Sequence, residues 1–167
     1  MPDVIIRREE SLDASAVRAV VAAAFKGQPH SNQTEHLIVD KLRDGGALTV
    51  SLVALVGNDV VGHIAFSPVT IDGCYCQWYG LAPLAVLSAH QKQGIGSRLV
   101  NAGLALLEAS GAKGCVVLGE PVYYFRVGFV AREGLTLEGV PSVYFLARLF
   151  SSDWPRGRVN YHKAFSS

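Results

Sequence analysis

The sequence predicts an α/β fold, and three observations carry this prediction. Runs rich in β-branched and aromatic residues alternate with stretches whose apolar residues recur at helical spacing. Half of the 167 residues are apolar, which is enough for one buried core without a metal or a disulfide framework. A strand, a glycine loop, a helix and a second strand follow one another in the middle of the chain, and that order predicts a parallel crossover. We expect a single domain over residues 1–167.

Five elements are predicted before residue 70. They are a strand from Val4 to Arg8, a helix from Ser11 to Phe25, a helix from Gln33 to Arg43, and strands from Leu48 to Val56 and from Val60 to Val69. Ser11 is the expected N-cap of the first helix. Gly57-Asn58-Asp59 has the composition of a hairpin turn, so the last two strands should pair antiparallel.

The second half continues the alternation after a tight turn at residues 71–74. The predicted elements are a strand from Tyr75 to Leu87 interrupted at Pro83, a helix that ends at Gly111, a strand from Cys115 to Leu118, a short helix from Val122 to Val127, and a final apolar strand from Val143 to Leu149. That final strand is where a possible homodimer could pair.

Composition excludes several classes of partner. The formal charge is +1 and no block of like charge occurs, so we expect no nucleic acid as a partner. No apolar stretch approaches the ~18 residues of a membrane span, so we expect no membrane partner. Three cysteines and no signal peptide predict a cytoplasmic protein with free thiols. The spacing of Cys74 and Cys76 does not make a metal site.

The segment from Leu84 to Gly96 predicts an anion site, because an apolar strand leads into a loop with glycines at positions 94 and 96 and a helix follows. Glycine lets a backbone approach a ligand closely, and the start of a helix offers free N–H groups and a positive dipole end. A phosphate or pyrophosphate is the expected guest. Leu99 stands where a dinucleotide-binding loop needs a third small residue, and the Lys-Ser/Thr pair of a P-loop is missing.

This segment resembles motif A of the GCN5-related N-acetyltransferase (GNAT) superfamily, in which Gln or Arg, two residues, Gly, one residue and Gly or Ala follow an apolar strand triplet such as Leu84-Ala85-Val86. Tyr124-Phe125-Arg126-Val127-Gly128-Phe129 is similar to a second element of that family, Tyr-x-x-x-Gly-Phe. The resemblance implies a GNAT-like α/β fold: a mixed, mostly antiparallel central sheet with a parallel splayed strand pair, flanked by about four helices.

The resemblance also implies acetyl-CoA as the cosubstrate and no metal. Residues expected to bind the cofactor are those along the pantetheine arm and around the pyrophosphate: Leu84, Ala85, Val86, Gln91, Lys92, Gln93, Gly94, Ile95, Gly96 and Ser97. Tyr124 matches the general-acid tyrosine of the family and is the expected proton donor to the departing thiolate. The alternative for Tyr124 is a packing aromatic.

The general base stays open, because Trp78 to Pro83 holds no carboxylate where family members often have a glutamate. The candidates are Glu35, His36, His63 and Glu120, of which His63 better fits a structural role. The acceptor site is expected at the first two helices with the loop from Lys26 to Thr34, and at the segment from Val140 to Val159.

The expected function is acetyl transfer from acetyl-CoA to a primary amine of a small molecule or a peptide or protein, by direct attack in a ternary complex. The alternative is a non-catalytic acyl-CoA-binding sensor or regulatory module.

Overall fold

A computed structural model describes residues 3–166. Four α-helices occur in this part of the chain: α1 Ala14–Phe25, α2 Glu35–Asp44, α3 Ile95–Ala109 and α4 Pro121–Phe125. The strands are β1 Val4–Arg8, β2 Val50–Val56, β3 Asp59–Ile71, β4 Cys74–Val86, β5 Gly114–Leu118, β6 Val130–Ala131, β7 Leu135–Thr136, β8 Phe145–Leu149 and β9 Gly157–Asn160. None of these helices is long and apolar enough to cross a membrane.

The chain divides into two compact units. Unit 1 comprises the described residues up to Phe66 together with Ala82–Gly103, and unit 2 comprises Ser67–Leu81 together with the described residues from Leu104 onward. Strands β3 and β4 each contribute one part to both units. A single domain over residues 1–167 remains a prediction.

Unit 1 is built on antiparallel strands covered by helices. β2 pairs with β1 and with β3, and a left-handed glycine at Gly57 (φ 62°) closes the predicted hairpin between β2 and β3. Valines of α1 and α2 pack on this sheet because they recur at helical spacing and fall on one face of each helix. Arg43 of α2 contacts the carboxylates of Glu9 (2.5 Å) and Asp40 (3.0 Å), which fixes α2 against the segment that follows β1.

Unit 2 contains the predicted parallel crossover. β4 and β5 run parallel, with Trp78–Gly80 in register with Gly114–Val116. β5 continues to Leu118 beyond this register and pairs antiparallel with β8, which in turn pairs with β6. The end of β3 pairs antiparallel with β9, which also forms a short parallel pair with β7. The prediction of a mostly antiparallel sheet with a parallel strand pair is therefore confirmed.

Three local predictions were wrong. Ser11 does not cap α1: it opens a 3₁₀ turn, while the Asp13 carboxylate accepts a hydrogen bond from the backbone N–H of Glu10 at 2.7 Å. The strand β4 is not interrupted at Pro83, because the chain stays extended through the cis bond between Ala82 and Pro83.

The third correction concerns the strand predicted from Val143 to Leu149. Its first two residues lie in a 3₁₀ turn, and it is not the last strand, because β9 follows it. β8 already has β5 on one side and β6 on the other at Leu146 and Ala147. A dimer that pairs along β8 would therefore have no free edge at these two residues.

Candidate active site

The glycine loop has the geometry of an anion cradle. Lys92 and Gly94 both have left-handed backbones (φ 64° and 82°), so the chain turns sharply just before α3. The first intrahelical bond of α3 runs from the N–H of Arg98 to the carbonyl of Gly94 (3.0 Å), so the amides of the preceding turn have no acceptor within the helix. Residues 91–94 are exposed, whereas Ile95 is buried and anchors the start of the helix. The site can hold a phosphate group.

The loop is tied to the strand that precedes it. The Gln91 side-chain amide donates a hydrogen bond to the carbonyl of Val86 at 2.9 Å. Leu84, Ala85, Val86 and Gln91 all line one cavity of about 390 Å³ in unit 1. The structure thus joins the predicted pantetheine strand to the start of the predicted pyrophosphate loop. Gly62 of β3 packs closely against this strand, since a Cβ there would lie 3.2 Å from the carbonyl oxygen of Ala85.

The same cavity is lined by the loop between α1 and α2, which is the predicted acceptor region. Ser31 and Glu35 both face it. The Ser31 hydroxyl lies 2.7 Å from each carboxylate oxygen of Glu35 and accepts a hydrogen bond from the N–H of Gln33. Gln33, in turn, donates from its side-chain amide to the carbonyl of Phe25 at 2.7 Å, which ties the loop to the end of α1. A carboxylate with a fixed orientation therefore faces the cofactor strand.

Of the four candidate bases, all of which lie in the part of the chain that the structure describes, Glu35 alone lines this cavity. His36 is its neighbour on α2, half-buried and outside the cavity lining. Glu120 belongs to unit 2, where it is exposed and precedes α4. The sequence offered no basis for ranking these residues, since the distinction comes from how the α1–α2 loop folds over β4.

His63 is a structural histidine, as the alternation of β3 suggested. It is fully buried and its Nε2 lies 2.7 Å from the hydroxyl of Ser51. Burial, together with the charge of Arg43, lowers the pKa of His63 to about 3. Such an imidazole is neutral at physiological pH, and because it is fully buried and does not line the cavity it has no access to an acceptor amine there.

Tyr124 lies in unit 2 on α4, where its N–H bonds to the carbonyl of Glu120 at 3.1 Å. Its ring makes edge-to-face contacts with Tyr123 and Phe129, at centroid distances of 4.9 and 5.7 Å. Burial raises the pKa of Tyr124 well above its usual range, so the phenol keeps its proton at neutral pH. Such a group can donate a proton and does not supply one spontaneously to water.

Two supporting residues escaped the sequence analysis. Gly119 leaves the space that the Tyr124 ring fills, because a Cβ at position 119 would overlap Cε2 of that ring. Gly119 directly follows the strand predicted to end at Leu118, and the missing side chain at that point was the available signal. Ser31, which orients Glu35, had no signal beyond a spacing of four residues. The guanidinium of Arg98 donates to the carbonyl of Val4 at 3.0 Å, which ties α3 to β1.

Among residues 3–166, no group of three or more histidine, cysteine, aspartate or glutamate side chains is arranged to hold a metal ion. Cys74, Cys76 and Cys115 are free thiols, and Cys115 is fully buried.

Comparisons with known proteins agree on one family. The family model for the acetyltransferase (GNAT) domain matches residues 48–131. The uncharacterized N-acetyltransferase YhbS of Escherichia coli K12 is 36% identical over 169 residues, covering 97% of this chain and 98% of YhbS. The uncharacterized N-acetyltransferase YjhQ of the same organism is 32% identical over 144 residues, covering 85% of this chain and 77% of YjhQ.

Two solved structures are similar along almost the entire chain. A GNAT family acetyltransferase from Brucella melitensis in complex with acetyl-CoA is 47% identical, with a TM-score of 0.89 and 99% of both chains covered. YhbS from E. coli in complex with CoA is 32% identical, with a TM-score of 0.91, covering 100% of this chain and 94% of YhbS. Since the family model and these relatives agree over the elements described above, this chain belongs to the GNAT family of N-acetyltransferases.

Proposed function

We propose that this protein transfers an acetyl group from acetyl-CoA to a primary amine by direct attack in a ternary complex. One observation carries the proposal: a single cavity of unit 1 is lined both by residues 84–86 of β4 and by the oriented carboxylate of Glu35. A cofactor thioester held along β4 and an amine held at Glu35 would therefore meet in one space.

The cofactor would bind through backbone groups. Residues 84–86 would pair with the amides of the pantetheine arm as an added strand. The amides at the start of α3 would hold the pyrophosphate, where the helix dipole favours negative charge. Because Gln91 already ties the loop to Val86, both halves of this site are fixed before the cofactor arrives, which lowers the entropic cost of binding. The complexes of the Brucella protein with acetyl-CoA and of YhbS with CoA support this assignment.

Glu35 would hold the acceptor and remove its proton. An alkylamine has a reference pKa of about 10.4, so it arrives mostly as an ammonium ion that cannot attack a carbonyl carbon. A carboxylate in the cavity attracts that ion and takes its proton, directly or through one water. Ser31 keeps the carboxylate oriented, as its hydroxyl lies 2.7 Å from both oxygens.

Tyr124 would complete the transfer. The neutral amine nitrogen forms a bond to the thioester carbon, the carbon–sulfur bond breaks, and the phenolic proton of Tyr124 passes to the departing sulfur. Burial keeps the phenol protonated at neutral pH, so a proton is available on Tyr124 when the thiolate forms.

The test compares two variants with two classes of acceptor. Hydroxylamine is neutral at pH 7 and needs no base, whereas an alkylamine such as Nα-acetyl-lysine methyl ester, with a reference amine pKa of about 10.4, must lose a proton first. Tyr124→Phe should lower kcat about 10²- to 10⁴-fold with both acceptors. Glu35→Gln should lower turnover of the alkylamine by about 10²-fold or more and leave hydroxylamine turnover nearly unchanged. Release of CoA thiol, corrected for the uncatalysed reaction, is the readout.

His36→Gln is the matched control, since it changes the neighbouring residue of α2 without touching the cavity. Equal losses for Glu35→Gln with both acceptors would contradict a role for Glu35 as base. Tight binding of acetyl-CoA by calorimetry with no turnover of any amine would contradict the enzymatic proposal and identify a cofactor sensor.

We also propose a cytoplasmic location, supported by three free thiols, which are typical of a reducing compartment. A homodimer likewise remains a proposal, to be tested by light scattering.

A further inference from the structure

The cavity that Glu35 lines in unit 1 has an apolar wall of fixed shape. Its apolar lining residues come from the end of α1, the loop that follows and β4, and they are Ala24, Phe25, Pro29, Leu84, Ala85 and Val86. Phe25 is half-buried and packs on the apolar cluster that contains Ala85. Its carbonyl accepts hydrogen bonds from the side-chain amide of Gln33 at 2.7 Å and from the N–H of Gln28 at 3.1 Å, so the loop is held against this wall.

The charge of this cavity has one sign. In the described part of the chain, Glu35 is the sole carboxylate that lines it, and no lysine or arginine lines it. Lys26 and Lys92 each follow a lining residue directly, but both are exposed and neither lines the cavity. The other polar lining residues are Gln28, His30, Ser31 and Gln91. The site thus attracts one ammonium ion and offers no lysine or arginine to a negatively charged group.

The cavity also limits the size of the acceptor. Its volume is about 390 Å³, near the lower end of the ~300–1,000 Å³ typical of small-molecule sites. In the proposed function the thioester end of the cofactor occupies part of this space along residues 84–86. The space that remains fits a small acceptor.

We propose that the acceptor is a small apolar monoamine, namely an alkylamine or arylalkylamine with no carboxylate next to its amino group. The inference rests on the proposed function, in which Glu35 binds the ammonium ion and takes its proton. The nitrogen would lie at Glu35 and the apolar group against Phe25 and the rest of the wall, where both surfaces leave water. The net reaction converts the ammonium ion and acetyl-CoA to the acetamide, CoA thiol and one proton, which Glu35 passes to solvent.

An amino acid is the informative contrast. Its carboxylate is attached to the carbon that bears the nitrogen, so an amino group hydrogen-bonded to Glu35 brings the two carboxylates to within about 6 Å of each other. Among residues 3–166, no lysine or arginine of the lining neutralises the second charge. Repulsion between like charges at that separation near a protein surface should weaken binding about 10- to 100-fold.

The first test compares three acceptors of similar shape at pH 8.5, where histidine side chains carry little charge. Phenethylamine has no carboxyl group, L-phenylalanine adds a carboxylate, and L-phenylalaninamide replaces that carboxylate with a neutral amide. We expect kcat/KM for L-phenylalanine to be about 10- to 100-fold below the values for the other two acceptors. Release of CoA thiol, corrected for the uncatalysed reaction, is the readout.

The second test concerns the apolar wall. Each methylene added from ethylamine to butylamine should raise kcat/KM about fourfold, the factor that corresponds to about 0.8 kcal/mol per buried CH₂. Ethanolamine, in which a hydroxyl replaces the terminal methyl of propylamine, is the matched control. It should be a poorer acceptor than propylamine, because its hydroxyl would lose water against an apolar surface.

A variant can supply the positive charge that would pair with a carboxylate. Gln28 is exposed and lines the cavity, so Gln28→Arg places a guanidinium there without burying a charge. This variant should raise kcat/KM for L-phenylalanine about tenfold and should not raise it for L-phenylalaninamide. Gln28→Met is the control, since methionine has a similar length and no charge, and it should bring no gain with L-phenylalanine.

Several outcomes would overturn the inference and leave the proposed function intact. They are equal turnover of L-phenylalanine and L-phenylalaninamide, no dependence on alkyl chain length, no gain in Gln28→Arg, and turnover of hydroxylamine without turnover of phenethylamine. A peptide with an amino-terminal phenylalanine that is a better acceptor than L-phenylalaninamide would also overturn it and would identify a peptide acceptor. No turnover of any amine, hydroxylamine included, refutes the proposed function and this inference together.

Discussion

Replacing Gly119 with alanine should lower both activity and stability, because this glycine leaves the space that the Tyr124 ring fills. A Cβ at position 119 would lie 3.0 Å from Cδ2 of Tyr124 and closer still to Cε2. Carbon atoms in contact prefer a separation of about 3.5–4.0 Å, so the ring must retreat by about 1 Å. A displacement of that size at a catalytic group can cost about 10²-fold in rate.

The expected result for Gly119→Ala is therefore a loss of about 10²-fold in kcat with hydroxylamine as acceptor. Acetyl-CoA binding measured by calorimetry should change little, since residues 84–86 and the glycine loop are untouched. Unfolding should become easier by about 1–3 kcal/mol, the usual cost of an added methyl group in a packed region.

Gly114→Ala provides the matched control. A Cβ at Gly114 would overlap the ring of Trp78, so the same methyl group is forced into unit 2 at the start of β5, away from Tyr124. Its stability loss should be comparable and its kcat close to that of the parent. If Gly119→Ala keeps the parental kcat while its thermal midpoint falls, the position of the Tyr124 ring does not govern transfer, and the reasoning above is refuted.

Two further predictions concern the cradle and the buried histidine. Gly94→Glu should abolish acetyl-CoA binding in calorimetry, because it adds bulk and negative charge where the pyrophosphate would lie. Gly57→Glu is the control, since Gly57 is also a left-handed glycine with open space around it, and this variant should bind acetyl-CoA normally. An equal loss of binding in both variants would indicate misfolding and contradict the prediction. His63 has a pKa of about 3 when folded against about 6.5 when unfolded, so its contribution to stability is complete above pH 6.5 and falls as the pH drops toward 3. Between pH 7 and pH 5 this amounts to about 2 kcal/mol, and urea titrations at both values should show a smaller loss in His63→Gln; an equal loss would contradict the assignment.

The elements that could be predicted from the sequence are those determined by residues close together in the chain. Periodicity and turn residues located β1, the hairpin at Gly57 and the parallel crossover, because these depend on burial of one face and on backbone angles that glycine permits. Predictions failed where two local preferences competed. Glu10 takes the N-cap position in a capping box with Asp13, so Ser11 falls inside the 3₁₀ turn, and β4 passes through Pro83 without a break.

The candidate site likewise has one part that could be predicted from the sequence and one part that could not. Residues 84–86 and the glycine loop carry a motif that can be recognised in the sequence, since backbone approach to a ligand imposes residue types at fixed spacing. Glu35 carries no such mark. Its role depends on a loop that brings a carboxylate to the same cavity as β4, and that arrangement follows from tertiary packing.

The environments of the titratable groups fit the roles proposed for them in the reaction. A base must release the proton it takes, so it should face solvent, and Glu35 lines a cavity in an exposed loop region. An acid must keep its proton until the leaving group needs it, and burial around Tyr124 has that effect because the neutral phenol is favoured there. His63 fits neither role, since it is fully buried and does not line the cavity. If burial sets these roles, a charged residue introduced next to Tyr124 should lower the rate of acetyl transfer more than one introduced next to Glu35. An unsolvated charge near the phenol would change the proton affinity of Tyr124, on which its role as the acid depends.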